Sequence, residues 1–274
     1  MEFRTKVDTG KAPFSIAPCD SMLFVGSCFA DNIGRRFAED RFRAVVNPFG
    51  VMYNPASIMH TVMRYEGEAP HVAVFTLGTN HVYILKETGE IVDNCRKRPQ
   101  RLFDERCLTV SECADFLTRA VSRLQSRRPG VKVILTVSPI RYAKYGYHGS
   151  ALSKATLLLA AQSLAERMPD AVTYFPAYEI MNDELRDYRF YRPDMLHPTD
   201  QAVDYISERF ADTFFNEAAH RFLSEWQPIK AALNHRPFNA ESDEYKAFIQ
   251  QTRSKLKVFE EKWGCRTEPE GAAT

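Results

Sequence analysis

The chain has 274 residues, of which 45% are hydrophobic and 26% charged, with 36 Lys and Arg against 35 Asp and Glu. That composition excludes a disordered chain, and a net charge of +1 argues against a dedicated nucleic-acid binder, which carries a clear basic excess. The longest apolar runs, such as 157–161, are far too short to span a bilayer, and the polar stretch 1–11 lacks a secretory apolar segment. The expected location is therefore the cytoplasm, with neither a membrane nor a nucleic acid as partner.

In chain order, 22–25 has the pattern of a buried strand and 29–39 that of a helix. A strand over 42–46, a helix over 57–65 and a strand over 72–77 follow. A loop-rich section with a hairpin around 82–92 precedes a helix over 111–125. The β-branched run 131–137, bounded by Pro129-Gly130 and Ser138-Pro139, is the clearest strand. A helix over 152–168 and a strand over 171–175 come next. This β-α alternation predicts a parallel sheet with helices on both faces. After His197, apolar residues Val203, Ile206, Phe210 and Phe214 recur at helical spacing, with Thr199 as N-cap. The remainder reads as helices interrupted near 234–242. We therefore expect an α/β domain over 1–215 and a helical extension over 216–274 packed on it.

Six cysteines (Cys19, Cys28, Cys95, Cys107, Cys113 and Cys265) form no C-x-x-C pair. In a chain of this size they predict reduced, mostly buried thiols and no structural zinc. Charge is uneven: 96–128 holds nine Lys and Arg against four acids. This stretch and Arg186, Arg189 and Arg192 would favour an anionic substrate if they converged on a pocket, whereas solvated faces and Arg–Asp pairs are the simpler account.

Ser27, in Gly26-Ser27-Cys28-Phe29-Ala30, follows the first strand and opens the first helix. Open α/β sheets place ligands at such strand ends, and a helix N-terminus stabilises an oxyanion. The same pattern also fits an ordinary N-cap. Asp194 stands three residues before His197, close enough to accept the imidazole Nδ1–H and leave Nε2 for a serine proton. With Ser27 after the first strand and His197 after the last, a Ser…Asp-His order emerges from independent cues. Asn80, in Thr76-Leu77-Gly78-Thr79-Asn80, and Gly50, in Asn47-Pro48-Phe49-Gly50, are candidate oxyanion donors or plain turn residues. Cys28 beside Ser27 is an alternative nucleophile or a packed thiol.

These segments, with Asn94-Cys95, Thr136-Val137-Ser138-Pro139, Ser153-Lys154 and the run 174–198, resemble the GSCFA-domain family, within the SGNH (GDSL-like) hydrolases. The resemblance covers roughly residues 15 to 250. It implies a flavodoxin-like three-layer α/β/α sandwich with a central parallel sheet. It also implies Ser27 as nucleophile, Asp194 and His197 as its partners, Gly50 and Asn80 at the oxyanion, and Asn94 among the substrate-binding residues. The chain departs from the family's pattern at Arg96-Lys97, where Asn-Cys is usually followed by His-Lys, at Tyr142, where a His is usual, and in a short 55–71 segment. The reaction expected is hydrolysis of a small acyl ester, with a carbohydrate as one candidate for the alcohol, and with no metal or organic cofactor. An O-acyltransferase using the same triad, or a non-catalytic carbohydrate-binding or scaffold protein, are the alternatives.

Overall fold

A computed structural model describes residues 4–95 and 97–264. The elements follow the predicted alternation: β1 (Met22–Gly26), α1 (Cys28–Glu39), β2 (Ala44–Val46), α2 (Pro55–Arg64) and β3 (Val72–Leu77). After these come β4 (His81–Leu85), β5 (Glu90–Val92), β6 (Phe103–Cys107), α3 (Val110–Arg127), β7 (Lys132–Val137), α4 (Gly146–Arg167) and β8 (Val172–Tyr174). A short turn α5 (Ala177–Glu179), α6 (Asp200–Phe214), α7 (Glu217–Leu233) and α8 (Asp243–Trp263) complete it. No helix among the described residues is long and apolar enough to cross a membrane.

Five strands pair in parallel in the order β2-β1-β3-β7-β8. Counted along the main sheet this is the 2-1-3-4-5 order of flavodoxin-like folds. Alternate side chains feed two cores. Leu23, Val25, Ala73, Phe75, Val133 and Leu135 pack under α2, α3 and α4. Met22, Phe24, Val72, Val74 and Ile134 pack under α1, α6 and α7. The period of two that makes each strand apolar on both faces is what a sheet buried between two helical layers requires. The result is a three-layer α/β/α sandwich.

A second, antiparallel sheet, ordered β5-β4-β6, is inserted between β3 and α3. The hairpin around 82–92 is present, but β6 escapes a sequence reading. Four of its five residues, Asp104 to Cys107, are exposed, so no apolar alternation marks it. Strand β2 is shorter than expected, and α4 begins at Gly146 rather than near 152. Ser150, Ser153 and Lys154 turn inward on α4, so tertiary contacts carry a glycine-containing first turn that propensity disfavours.

Helix α7 docks through Phe222, whose ring lies 5.1 Å from Phe42, and Trp226, whose indole N–H donates to Glu39 O at 3.1 Å. Helix α8 rests in turn on α7 through Phe259. The break between them, 234–242, is where the sequence placed it. The thiols depart from expectation. Cys19 is disulfide-bonded, and of the free cysteines Cys28, Cys95, Cys107 and Cys113 only Cys113 is buried. Cys265 lies outside the described residues.

Candidate active site

The chain turns from β1 to α1 at Gly26 and Ser27. Gly26 has φ +146°, and a Cβ there would lie 2.3 Å from Thr76 O, so β1 and β3 meet at their carboxyl ends only because Gly26 has no side chain. Its peptide is held on both sides: Gly26 N–H donates to Asn47 Oδ1 at 2.8 Å, and Met52 N–H donates to Gly26 O at 2.8 Å. Asn47 is itself anchored to Asp31 at 2.6 Å. Ser27 is the extended N-cap of α1, and Phe29 N–H donates to its Oγ. This is the point where the sheet order reverses between β1 and β3, the crevice in which open α/β sheets bind ligands.

Ser27 is 2% exposed, and its Oγ lies 3.0 Å from Thr76 Oγ1. Its N–H is shared between Thr76 O, at 3.1 Å, and Thr76 Oγ1, at 2.9 Å. Thr76 is a partner that sequence reasoning missed; a buried hydroxyl at the last turn of an apolar strand was the available signal.

Asp194 and His197 form a tight pair: Nδ1 lies 2.6 Å from Asp194 Oδ2. Asp194 Oδ1 accepts the N–H groups of Leu196 and His197, at 2.9 and 3.0 Å. In this loop, bounded by Pro193 and Pro198, Met195 adopts φ +58°. These bonds, the backbone donors first and then His197, hold the Asp194 carboxyl at a pKa of about 2. The loop is pinned at the carboxyl edge of the sheet, where Arg141 N–H, just beyond β7, donates to Leu196 O at 3.0 Å. Ser27 Oγ is directed to Thr76 and makes no hydrogen bond to His197.

The expected oxyanion donors are engaged elsewhere. Gly50 N–H closes a turn onto Asn47 O at 2.8 Å, and the Asn80 amide donates to Leu108 O at 2.8 Å. Asn80 O at its side chain is buried with no partner. Gly78 of the same loop passes against the Ser27 side chain and is held by Tyr53 O, which accepts the N–H groups of Gly78 and Thr79. Cys28, first in α1, is partly exposed rather than packed, with Sγ 3.7 Å from the Tyr53 hydroxyl. Asn94 lies on the wall of a cavity with Tyr53 and Tyr83.

Lys154 was named in the sequence only as part of a motif, yet it is fully buried behind this loop. Its Nζ donates to Gly78 O and Ser138 O, both at 2.8 Å, and burial lowers its pKa to about 7. A neutral amine has two N–H groups for these two acceptors, and a third proton would have no partner. The basic residues do not converge. Arg186 pairs with Asp183, Arg189 with Asp187 and Arg192 with Asp200, while Arg98 borders, with Phe49 and Arg64, a hollow that shares Val51, Val92, Asp93 and Asn94 with the cavity of Tyr53 and Tyr83. Arg96 lies outside the described residues.

The model of the GSCFA family matches residues 21–73 and 63–210, and that of the GSCFA domain protein, C-terminal domain, matches 226–268. No curated protein matches the chain in sequence. Among solved structures, an acetyl-xylooligosaccharide esterase from Geobacillus Stearmophilus is similar at 12% identity, over 73% of this chain and 96% of that one, with a TM-score of 0.47. A carbohydrate esterase family 3 structure from Talaromyces cellulolyticus is similar at 10% identity, over 76% and 99%, with a TM-score of 0.41. A Lactobacillus plantarum protein is similar at 14% identity, over 73% and 100%, with a TM-score of 0.47. The family models cover most of the sequence, from the first strand through the last helix, and the chain belongs to the GSCFA family.

Proposed function

We propose that the protein is a serine-dependent acyl hydrolase acting on a small ester. The observation that carries this reading is the Asp194–His197 pair at 2.6 Å, on a loop fastened to the sheet edge at which Ser27 stands. Asp194 holds the imidazole with Nδ1–H toward the carboxylate, leaving Nε2 as a base. Turnover requires the Ser27 hydroxyl to leave Thr76 and come within hydrogen-bond reach of His197 Nε2. His197 takes the hydroxyl proton as Oγ attacks the ester carbonyl, then returns it to the leaving alcohol. Water, activated by the same imidazole, releases the acid and frees Ser27. Cys28 N–H, at the first position of α1, donates to no described group and is a donor for the oxyanion.

A second reading is favoured by a specific observation: Ser27 is buried and the Gly50 and Asn80 donors are already satisfied, as in a binding protein built on this fold. A fluorophosphonate probe separates the two. Labelling of the wild type that is lost in Ser27→Ala and kept in Cys28→Ala is the expected result. Folded wild type that takes no label favours the binding protein, and loss of label in Cys28→Ala moves the nucleophile to the thiol.

A further inference from the structure

Beyond Leu77 and Val137, the last paired residues of β3 and β7, the two chains part. Ser138 N–H makes the final bond between them, to Leu77 O at 2.8 Å. Pro139 has no N–H to continue the ladder, and Gly78 N–H turns away to Tyr53 O at 2.9 Å. One chain runs on past the nucleophile: a Cβ on Gly78 would lie 3.4 Å from the Ser27 Cβ. The other runs to Arg141, whose backbone N–H donates to Leu196 O at 3.0 Å and whose guanidinium donates to Met195 O at 3.4 Å. The Ser27 side and the His197 side of the site are thus supported by two strand ends that have left their ladder.

One side chain spans the gap. Lys154 Nζ donates to Gly78 O and to Ser138 O, each at 2.8 Å, and so holds the two oxygens no more than twice that distance apart. Its neighbours on α4 bind the same two segments. Ser153 Oγ accepts Asn80 N–H at 3.0 Å and lies 3.1 Å from Thr79 Oγ1. Ser150 Oγ accepts Tyr142 N–H, next to Arg141, at 3.2 Å. Ser150 and Lys154, four residues apart, lie on one face of the helix, and all three side chains belong to residues at least nine-tenths buried.

The chemistry of the bridge matches the place. Two buried carbonyls at parted strand ends need donors, and an apolar residue at 154 would take the Nζ bond from both. A hydroxyl has one proton and would serve one side only. An amine serves both, and the cost of putting it there is visible in a pKa that burial lowers to about 7. Proton transfer from a serine to an imidazole depends on their relative placement, and a misplacement of about 1 Å that originates far from the chemistry costs ~10²-fold in rate. A residue that fixes one strand end against the other therefore acts on that placement without touching the reacting atoms.

We propose that Lys154, with Ser150 and Ser153 beside it, is a positioning residue that sets the Ser27 side of the active site against the His197 side. That this serves ester hydrolysis rests on the hydrolase reading; the bridge between the two segments does not. The test compares Lys154→Met, which keeps the length but has no N–H, with Lys154→Gln, whose amide nitrogen again offers two. Leu164→Ala, ten residues further along the same buried face of α4, controls for lost stability alone. Each folded protein is measured by kinetics on p-nitrophenyl acetate, by its rate of fluorophosphonate labelling and by amide hydrogen exchange with mass spectrometry. In Lys154→Met, kcat and labelling rate are expected to fall ~10- to 100-fold with KM within about twofold. Exchange is expected to rise in both 76–82 and 192–199. Lys154→Gln should recover most of the loss, and Leu164→Ala should leave kcat and both segments as in the wild type. The proposal is overturned if Lys154→Met keeps the wild-type kcat, if Lys154→Gln is no better, if Leu164→Ala loses as much, or if exchange rises in 76–82 alone. Should Lys154→Met not fold, Ser150→Ala decides in its place. It releases only the Tyr142 N–H, and unchanged exchange over 192–199 with unchanged labelling would overturn the proposal. Wild type that takes no fluorophosphonate sinks the hydrolase reading alone, and the exchange pattern still decides whether the bridge holds both segments.

Discussion

Asp194 keeps its charge far into acid because two backbone N–H groups and an imidazole are directed at one carboxylate. Its pKa of about 2 lies below the ordinary value of 3.8, so the ionised state that orients His197 is present above that range and is lost only as pH falls through about 2. Asp194→Asn keeps an acceptor for the two N–H groups but offers the imidazole the wrong partner. Ester hydrolysis by this variant is expected to fall about 10³- to 10⁴-fold, measured as kcat on p-nitrophenyl acetate, with unchanged circular dichroism. Lys154 gives the opposite kind of signature. Its folded pKa of about 7 lies below the 10.5 of a free lysine, so between these values the unfolded chain binds more protons than the folded one. Stability from this group therefore rises as pH increases from 7 toward 10.5 and is flat below 7, where both states are charged. The full span is on the order of 5 kcal/mol at ~1.4 kcal/mol per pKa unit. Urea midpoints measured from pH 7 to 9.5 should climb more steeply for the wild type than for Lys154→Met. Equal slopes would show that Lys154 is not buried uncharged. The sequence did hold a sign of this residue, since Lys154 falls on the same helical stripe as Ser150, Leu157, Ala161 and Leu164, where a charge is out of place.

At the scale of elements, the β1–α1 turn is where local sequence and distant structure constrain each other most tightly. Gly26 has a backbone conformation that L side chains rarely adopt and sits where a Cβ would overlap Thr76 on the neighbouring strand. Gly26→Ala should destabilise the protein by ~3 kcal/mol or more, read as a lowered urea midpoint, because neither strain nor clash can relax without separating β1 from β3. A variant as stable as the wild type would mean that the two strand ends are not so closely joined. Helix boundaries were legible where capping is local. Thr109 and Glu112 form a reciprocal capping box at the start of α3, and Thr199 caps α6 as its sequence position implied. β6 was not legible because its exposed charged residues are strand only by pairing with β4. The same limit applies to Gly50 and Asn80. Their residue types suit an oxyanion hole, but whether an N–H faces the nucleophile or a nearby carbonyl is decided by the path of the loop.

At the scale of the molecule, the C-terminal helices are joined to the sandwich through a small set of aromatics. Trp226 packs on Phe259, lies beneath Arg41 at 5.0 Å and donates to Glu39 O. Trp226→Ala should cost ~3–5 kcal/mol and open α8 to proteolysis before the sheet unfolds. Simultaneous loss of both regions would show that they form one cooperative unit. What the sequence determined by itself was everything with a short-range cause: the alternation of strands and helices, the caps, the break near 234–242, and the Asp194–His197 pair, whose three-residue spacing already permits contact. Only the tertiary structure decided that Ser27 is turned toward Thr76, that the arginines pair with neighbouring acids, that Lys154 backs the Gly78 loop, and that four tyrosines from three segments enclose one cavity. The Ser27–Thr76 and Lys154–Gly78 contacts join residues 49 and 76 positions apart at one sheet edge, and no local pattern records which way a side chain faces once distant strands are laid side by side.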